Sequence, residues 1–360
     1  MKKFFVSFAL LVAASATSVF AQSPLVATLN HNDTISVYYG IDALQSAYSA
    51  SVNGDVITLS SGGFNAPSKI SKNITLRGAG MEQDSINKVA PTVLIGSFNV
   101  YSQYATSSTE HLTIEGIWHD GTIYFGYSNY PYYGLRDAQF IKCRLGHFQN
   151  DPACAGLSPN SFALSSVAFV QCKIKSVKAH GNATFLNCYV RYPMSSNSSF
   201  TMNYECINCV VYGSLDPTDI KYSTFTNSVL IGSNPLDATN MAYNCIGVYT
   251  AKSDTVNHLF TNLPYGLSNV CYRKVGEVFD TKTFFADGTG YYSDADTYQL
   301  LDSIRTKYLG TDGREVGMYG GALPFNTQST LPKIKKFSVA PQTDSEGKLK
   351  VEIEVSAAGK

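Results

Sequence analysis

A six-residue pattern that returns six times between Phe140 and Gly247 constrains this chain more than any other feature. Written as apolar, any, Asn-like, Cys, any, apolar, it reads Phe140-Ile141-Lys142-Cys143-Arg144-Leu145, Phe169-Val170-Gln171-Cys172-Lys173-Ile174 and Phe185-Leu186-Asn187-Cys188-Tyr189-Val190. Cys206-Ile207-Asn208-Cys209-Val210-Val211 and Phe225-Thr226-Asn227-Ser228-Val229-Leu230 follow, with a weaker Ala242-Tyr243-Asn244-Cys245-Ile246-Gly247 at the end. First positions lie 29, 16, 21, 19 and 17 residues apart, a loose period of about 20, which is the mark of a repeat architecture.

Apolar residues at both ends of the pattern mark two short strands, and the polar third position marks a corner between them. No copy can bury its apolar face alone. Stacking copies gives parallel strands about 4.8 Å apart with equivalent residues in ladders. Asn suits a repeated corner because it tolerates left-handed backbone and its amide can bond the next rung. Cys beside it packs as a small hydrophobe. Two earlier stretches, Ile74-Thr75-Leu76-Arg77-Gly78 and Leu112-Thr113-Ile114-Glu115-Gly116-Ile117, place Gly at the same corner. Counting from Ile57, at least nine rungs are expected, a coil on the order of 40 Å long.

Inward Phe and Cys with Asn stacked at a bend resembles the right-handed parallel β-helix of the pectate-lyase-like superfamily. The expected fold is therefore all-β: a single-stranded right-handed parallel β-helix over 22–325, with a C-terminal β-hairpin over 326–360. Ile41, Leu44, Ala47 and Tyr48 fall at helical spacing before Asn53-Gly54, which reads as a short N-terminal capping helix. Asp312 to Gly321 resembles the closing segment of secreted Bacteroidetes β-helix proteins, which implies a surface setting and no particular reaction. In the tail, Leu349, Val351, Ile353 and Val355 alternate with Lys348, Lys350, Glu352 and Glu354 after a turn at Asp344 to Gly347. A lone hairpin is marginal, so packing on the C-terminal end of the coil is expected, with a fragment of an Ig-like anchoring module as the alternative.

Residues 1–21 read as a secretory signal: Lys2 and Lys3, an apolar run from Phe4 to Ala14, and the small-residue site Val19-Phe20-Ala21. The run is too short to span a bilayer, so the expected location is periplasmic, surface or extracellular, with no transmembrane segment. Charged residues make up only 15% of the chain, and without the signal the net charge is about −2, which excludes nucleic acid as an expected partner.

The expected partner is a polysaccharide or cell-surface glycan. Tyr124, Phe125, Tyr127, Tyr130, Tyr132 and Tyr133 crowd into an eleven-residue stretch ending at Gly134. Their faces suit stacking on sugar rings; a long loop pinned by its own aromatics explains the same residues equally well. Catalytic pairs are scarce. The rungs carry few carboxylates, no His-Glu-x-x-His occurs, and Cys206-Ile207-Asn208-Cys209 falls on inward positions, which favours packing over zinc or redox work. The alternative is a polysaccharide lyase, which needs a base and a cation beside a uronate. In β-helix lyases Lys or Arg commonly serve, often with calcium held by acids. By the repeat, Lys178 and His180 fall where a first-sheet groove should run and Arg191 one rung away, within a basic set that includes Lys173, Lys175 and Lys221. The acidic cluster for calcium is missing there, and a solvated basic face is the plainer reading. No cofactor is expected, although Asp287 to Gly290 and Asp294 to Asp296 offer oxygen ligands for calcium, with turn chemistry the plainer reading. Of the eight cysteines, Cys143, Cys172, Cys188, Cys206, Cys209 and Cys245 are inward, parallel and expected to stay reduced; Cys154 and Cys271 lie off the pattern.

Overall fold

A computed structural model describes residues 25–84, 89–102, 111–125, 134–150, 164–194, 202–213, 220–249, 259–263, 268–272, 274–280, 297–329, 331–339, 342–343 and 345–356. The described chain is mostly β, and its two long sheets are built of parallel strands except for the N-terminal strands of the first. From Val56 onward the chain passes back and forth between the two sheets, on some rungs giving one sheet two short strands in succession, as Gly62–Asn65 and Lys69–Ile70 do in the second. Nine parallel strands follow one another in the first sheet from Val56–Leu59 to Met241–Tyr243, in agreement with the rung count made from Ile57. This order is compatible with a β-helix solenoid.

Register turns the repeat into columns. Ile57, Leu76, Ile114, Phe140, Phe169, Phe185, Cys206, Phe225 and Ala242 stand opposite one another on consecutive strands and are all buried. Phe140 and Phe169 stack at 5.0 Å and 13°, and Phe169 and Phe185 at 4.9 Å and 5°. Rings one strand spacing apart therefore lie nearly parallel, adding about 0.5–1.5 kcal/mol per pair beyond their burial. The thiols form a second column. Cys172, Cys188 and Cys209 each donate to the carbonyl of Phe140, Phe169 and Phe185, one rung earlier, at 3.2 Å. All six expected thiols are free and buried. Burial pushes Cys143, Cys172, Cys188 and Cys209 well up and Cys245 to about 12, so none is a nucleophile at neutral pH.

The corner residues Lys142, Gln171, Asn187, Asn208, Asn227 and Asn244 all take φ between 49° and 53°. Each of the first five donates its backbone N–H to the last residue of the first-sheet strand on the next rung: Val170, Leu186, Ile207, Thr226 and Tyr243. Gly116 shares this conformation at φ 65°. Gly78 serves a different need, since a Cβ there would strike the Gly116 carbonyl.

The corner side chains depart from the expected ladder. Asn244 does donate to Asn227 Oδ1 at 3.0 Å, but the others turn outward to a returning segment. Asn244 reaches Leu309 O, Asn227 reaches Thr311 Oγ1, Asn187 reaches Met318 O and Gly320 O at 3.0 and 2.7 Å, Gln171 reaches Pro324 O, and Lys142 reaches Gln328 O. The segment from Leu309 to Gln328 thus runs back along the corners against the order of the rungs. With Val275, Phe279, Tyr298, Ile304, Val316 and Met318 it buries the outward residues Tyr189, Val210, Val229, Ile231, Ile246 and Val248 of the second sheet as a second core. Earlier on that face the outward residues include Val93, Ile95, Trp118, Arg144 and Lys173, with the Arg144 guanidinium 4.5 Å over the Trp118 ring.

At the N-terminal end the helix Ala43–Ala50 packs against four strands, burying Ala43, Leu44 and Ala47. Ile41, assigned to it from spacing, precedes the helix and is 46% exposed. Lys72 closes the helix C-terminus by donating to Tyr48 O at 2.6 Å and Ser51 O at 2.7 Å, where a cation also meets the negative end of the helix dipole. The tail forms a two-stranded antiparallel sheet whose register sets Ile334 opposite Val355, Phe337 opposite Ile353 and Val339 opposite Val351. Its expected packing on the coil is not found: Leu349, Val351, Ile353 and Val355 are 50%, 48%, 54% and 53% exposed. The strands satisfy each other's backbone, which spends the hydrogen bonds of the hairpin internally and leaves its apolar face uncovered.

Two outcomes are expected. Asn187→Gly keeps the left-handed corner while deleting both bonds to the returning segment, so it should cost about 1–3 kcal/mol and make 297–329 protease-sensitive before the coil unfolds; unchanged cleavage would remove the corners as the anchor. His119 stands in the column of Leu145 and Ile174, wholly buried, with Nδ1 on Leu94 O at 3.0 Å and no partner for Nε2 among the described residues. Burial holds its pKa below the usual value, so below about pH 6.5 the unfolded chain takes a proton that the folded one refuses. Stability should fall with acid, and His119→Leu should flatten that fall; parallel pH curves for parent and variant would refute this.

Candidate functional site

Three long strands of the second sheet, Ile117–Phe125, Arg144–Asn150 and Lys173–Lys178, extend past the returning segment. Ile123, Phe148 and Val177 point inward and are buried, so their neighbours point out. Register sets Thr122 opposite His147 and His147 opposite Ser176; one step outward it sets Tyr124 opposite Gln149 and Gln149 opposite Lys178. The result is an outward-facing grid of two rows and three strands, half-buried except at Lys178, about 4.8 Å from strand to strand and about 7 Å from row to row. A bulge at Asp120 and Gly121 creates the alignment. Gly146 faces it, since a Cβ there would strike the Asp120 and Gly121 carbonyls.

Within the grid His147 Nδ1 lies 2.8 Å from Ser176 Oγ. Burial first, and the Lys175 charge second, hold the imidazole below its usual pKa, so the ring is neutral at pH 7. The outer row continues to Asn99 and Lys69 beyond Tyr124 and to Met194 beyond Lys178.

The residues singled out from sequence divide. Tyr124 and Lys178 share the outer row. Phe125 points into the coil, wholly buried, and stacks on Phe148 at 5.2 Å, so its faces are already occupied; alternation along the strand sends adjacent residues to opposite sides. Tyr127, Tyr130, Tyr132 and Tyr133 lie outside the described residues. His180 is 4% exposed and its carbonyl accepts the Leu164 N–H. Arg191 stacks on Tyr192 at 4.6 Å and faces Tyr212 at 5.8 Å. On that rung Lys178 stands opposite Met194, three residues past Arg191. Lys173 is held by Glu82 at 2.7 Å. Sequence reasoning missed Thr122, His147, Gln149 and Ser176. The signal was present: His147 and Ser176 are 29 residues apart, the same interval as Phe140 and Phe169.

A second concavity of about 630 Å³ is lined by Asp280, Asp302, Arg305, Glu315 and Tyr319, among others. Burial raises Glu315 and pushes Tyr319 to about 12, and the Tyr319 hydroxyl donates to Thr297 O at 2.5 Å. Three carboxylates against one guanidinium disfavour an anionic ligand there. Among the described residues no group of three or more His, Cys, Asp or Glu is placed to hold a metal ion. The calcium candidates from Asp287 to Gly290 and from Asp294 to Asp296 lie outside them.

No family model, curated protein or solved structure matches this chain.

Proposed function

We propose that this chain is a secreted or cell-surface protein, a right-handed parallel β-helix capped by the helix Ala43–Ala50, that binds a polysaccharide across the outer face of its second sheet. The observation that carries the reading is the outward grid. A row exposed at its ends and half-buried between them runs from Lys69 through Asn99, Tyr124 and Gln149 to Lys178, and a hydroxyl and imidazole row lies beside it. A strand spacing of about 4.8 Å is close to the length of one sugar, so an extended glycan lying across the strands meets a new side chain at each residue. The Tyr124 ring offers a stacking surface, and the amide, ammonium and hydroxyl groups offer the directional contacts of a saccharide site. The secretory reading rests on the Met1 to Ala21 sequence. Among the described residues no helix is long and apolar enough to cross a membrane.

Tyr124 and Lys178 in one row also favour a second reading, a lyase in which the ammonium neutralises a uronate carboxylate and a neighbouring base takes the adjacent proton. One experiment separates the two. Residues 22–360 are screened on a panel of neutral and acidic polysaccharides, with ultraviolet detection of unsaturated products. Binding that falls about tenfold, near 1.4 kcal/mol, in Tyr124→Ala and in Lys178→Ala, and that survives Glu315→Gln, is the expected result. Binding lost in Glu315→Gln alone would move the site to the second concavity, and unsaturated products abolished by Lys178→Ala would make the protein a lyase. No binding to any member of the panel would end the glycan reading.

A further inference from the structure

We infer that the same grid carries a hydrolytic centre, with Ser176 as nucleophile and His147 as its base, that removes small acyl esters from sugar hydroxyls. The inference rests on the glycan-binding reading for its substrate and on the Ser–His geometry for its chemistry.

A serine hydroxyl becomes a nucleophile when a neutral base stands within hydrogen-bonding distance. Ser176 Oγ and His147 Nδ1 are 2.8 Å apart. The pair is fixed by backbone as well as by its own bond, because register places the two residues directly opposite on adjacent parallel strands. Inward packing of Phe148 and Val177, both wholly buried, holds those strands from behind. With the proton on Nε2, Nδ1 accepts from the hydroxyl. Burial and then the Lys175 charge keep the imidazole neutral, and Asp120, whose backbone lies against Gly146, turns its carboxylate to Arg144 at 3.9 Å. Lys175, with Lys178 two residues past Ser176, favours negative charge on the oxygen beside the ring.

The step balances without a co-reactant other than water. Ser176 Oγ forms a bond to the acyl carbon as its proton passes to Nδ1 of His147. The C–O bond to the sugar then breaks, and the departing oxygen takes that proton. Water, deprotonated by the same nitrogen, then attacks the acyl carbon; the bond from that carbon to Ser176 Oγ breaks, Oγ takes the proton back from Nδ1, and the carboxylic acid departs. Gln149 and Lys178, on the row next to His147 and Ser176, supply the donors that face an oxyanion formed at Ser176. Thr122, Gln149 and Lys178 make the surroundings polar, which suits an acetyl group and gives a long acyl chain no apolar wall. Esters fit better than amides, because an alkoxide leaves more readily than an amide nitrogen and needs only the one proton that His147 carries.

The test uses residues 22–360 with 4-nitrophenyl acetate and with acetylated and deacetylated xylan. Acetate release should fall about 10²- to 10⁴-fold in Ser176→Ala and in His147→Ala, with circular dichroism unchanged. A fluorophosphonate should label the Ser176 peptide in the parent and not in His147→Gln. Release that persists in Ser176→Ala, or no release from either ester together with no label, overturns the inference. Xylan binding without acetate release would remove the hydrolytic centre and leave the glycan reading standing. Release from 4-nitrophenyl acetate that depends on Ser176, without binding to either xylan or to any other glycan, would keep the centre and remove the glycan substrate.

Discussion

The structure depends on one recurring hydrogen bond. At each corner from Lys142 to Asn227 a residue in left-handed conformation sends its N–H to the last carbonyl-bearing residue of the first-sheet strand on the next rung. That bond fixes where one rung sits on another, and a strand that slipped by one residue would turn its whole inward set to solvent. The phenylalanine column, the thiol column and the grid on the second sheet all inherit their alignment from it. A non-glycine residue in this conformation carries strain of about 1–2 kcal/mol, which Asn relieves better than Lys or Gln. The ladder nevertheless tolerates Lys142 and Gln171, because their long side chains reach the returning segment as the shorter Asn side chains do.

The corners therefore hold two structures at once. Their backbone sets the coil, and their side chains dock the segment that covers half of one sheet. The hydrogen bonds carry that segment further than its apolar packing does, on to Gln171 and Lys142. Outward positions on the second sheet are apolar at Val210, Val229 and Ile246, where the segment packs on them, and charged at Arg144 and Lys173, on the rungs where it holds the corners. The transition falls at Tyr189, which is wholly buried and stacks on Tyr298 at 4.1 Å.

Legibility followed sequence distance. Columns, corners and reduced thiols could be read from the repeat because each joins residues about one rung apart. The returning segment could not, since Lys142 and Gln328 are 186 residues apart and share no pattern. Ile41 misled because a helical period says which residues share a face and not where the helix begins; here it begins at Ala43. Phe125 misled because a crowd of aromatics looked like one surface, while a strand sends Tyr124 and Phe125 to opposite sides. The repeat sets Lys178, His180 and Arg191 near one another, while register adds three positions between Lys178 and Arg191 along the strands and burial covers His180.

The location of the grid follows from the same division of the outer face. A solenoid offers many equivalent outward positions, so a site needs something that makes one stretch unlike the rest. Two features do so here. The returning segment removes the later rungs from solvent, and the bulge at Asp120 and Gly121 shifts register so that Thr122, His147 and Ser176 align on three consecutive strands. Were the register of Trp118 and His119 continued without that shift, Gly121 would stand opposite His147, Thr122 opposite Phe148 and Tyr124 opposite Asn150. A local irregularity in an otherwise uniform ladder is thus what places a phenol, an amide and an ammonium in one row and a hydroxyl, an imidazole and a second hydroxyl in the next.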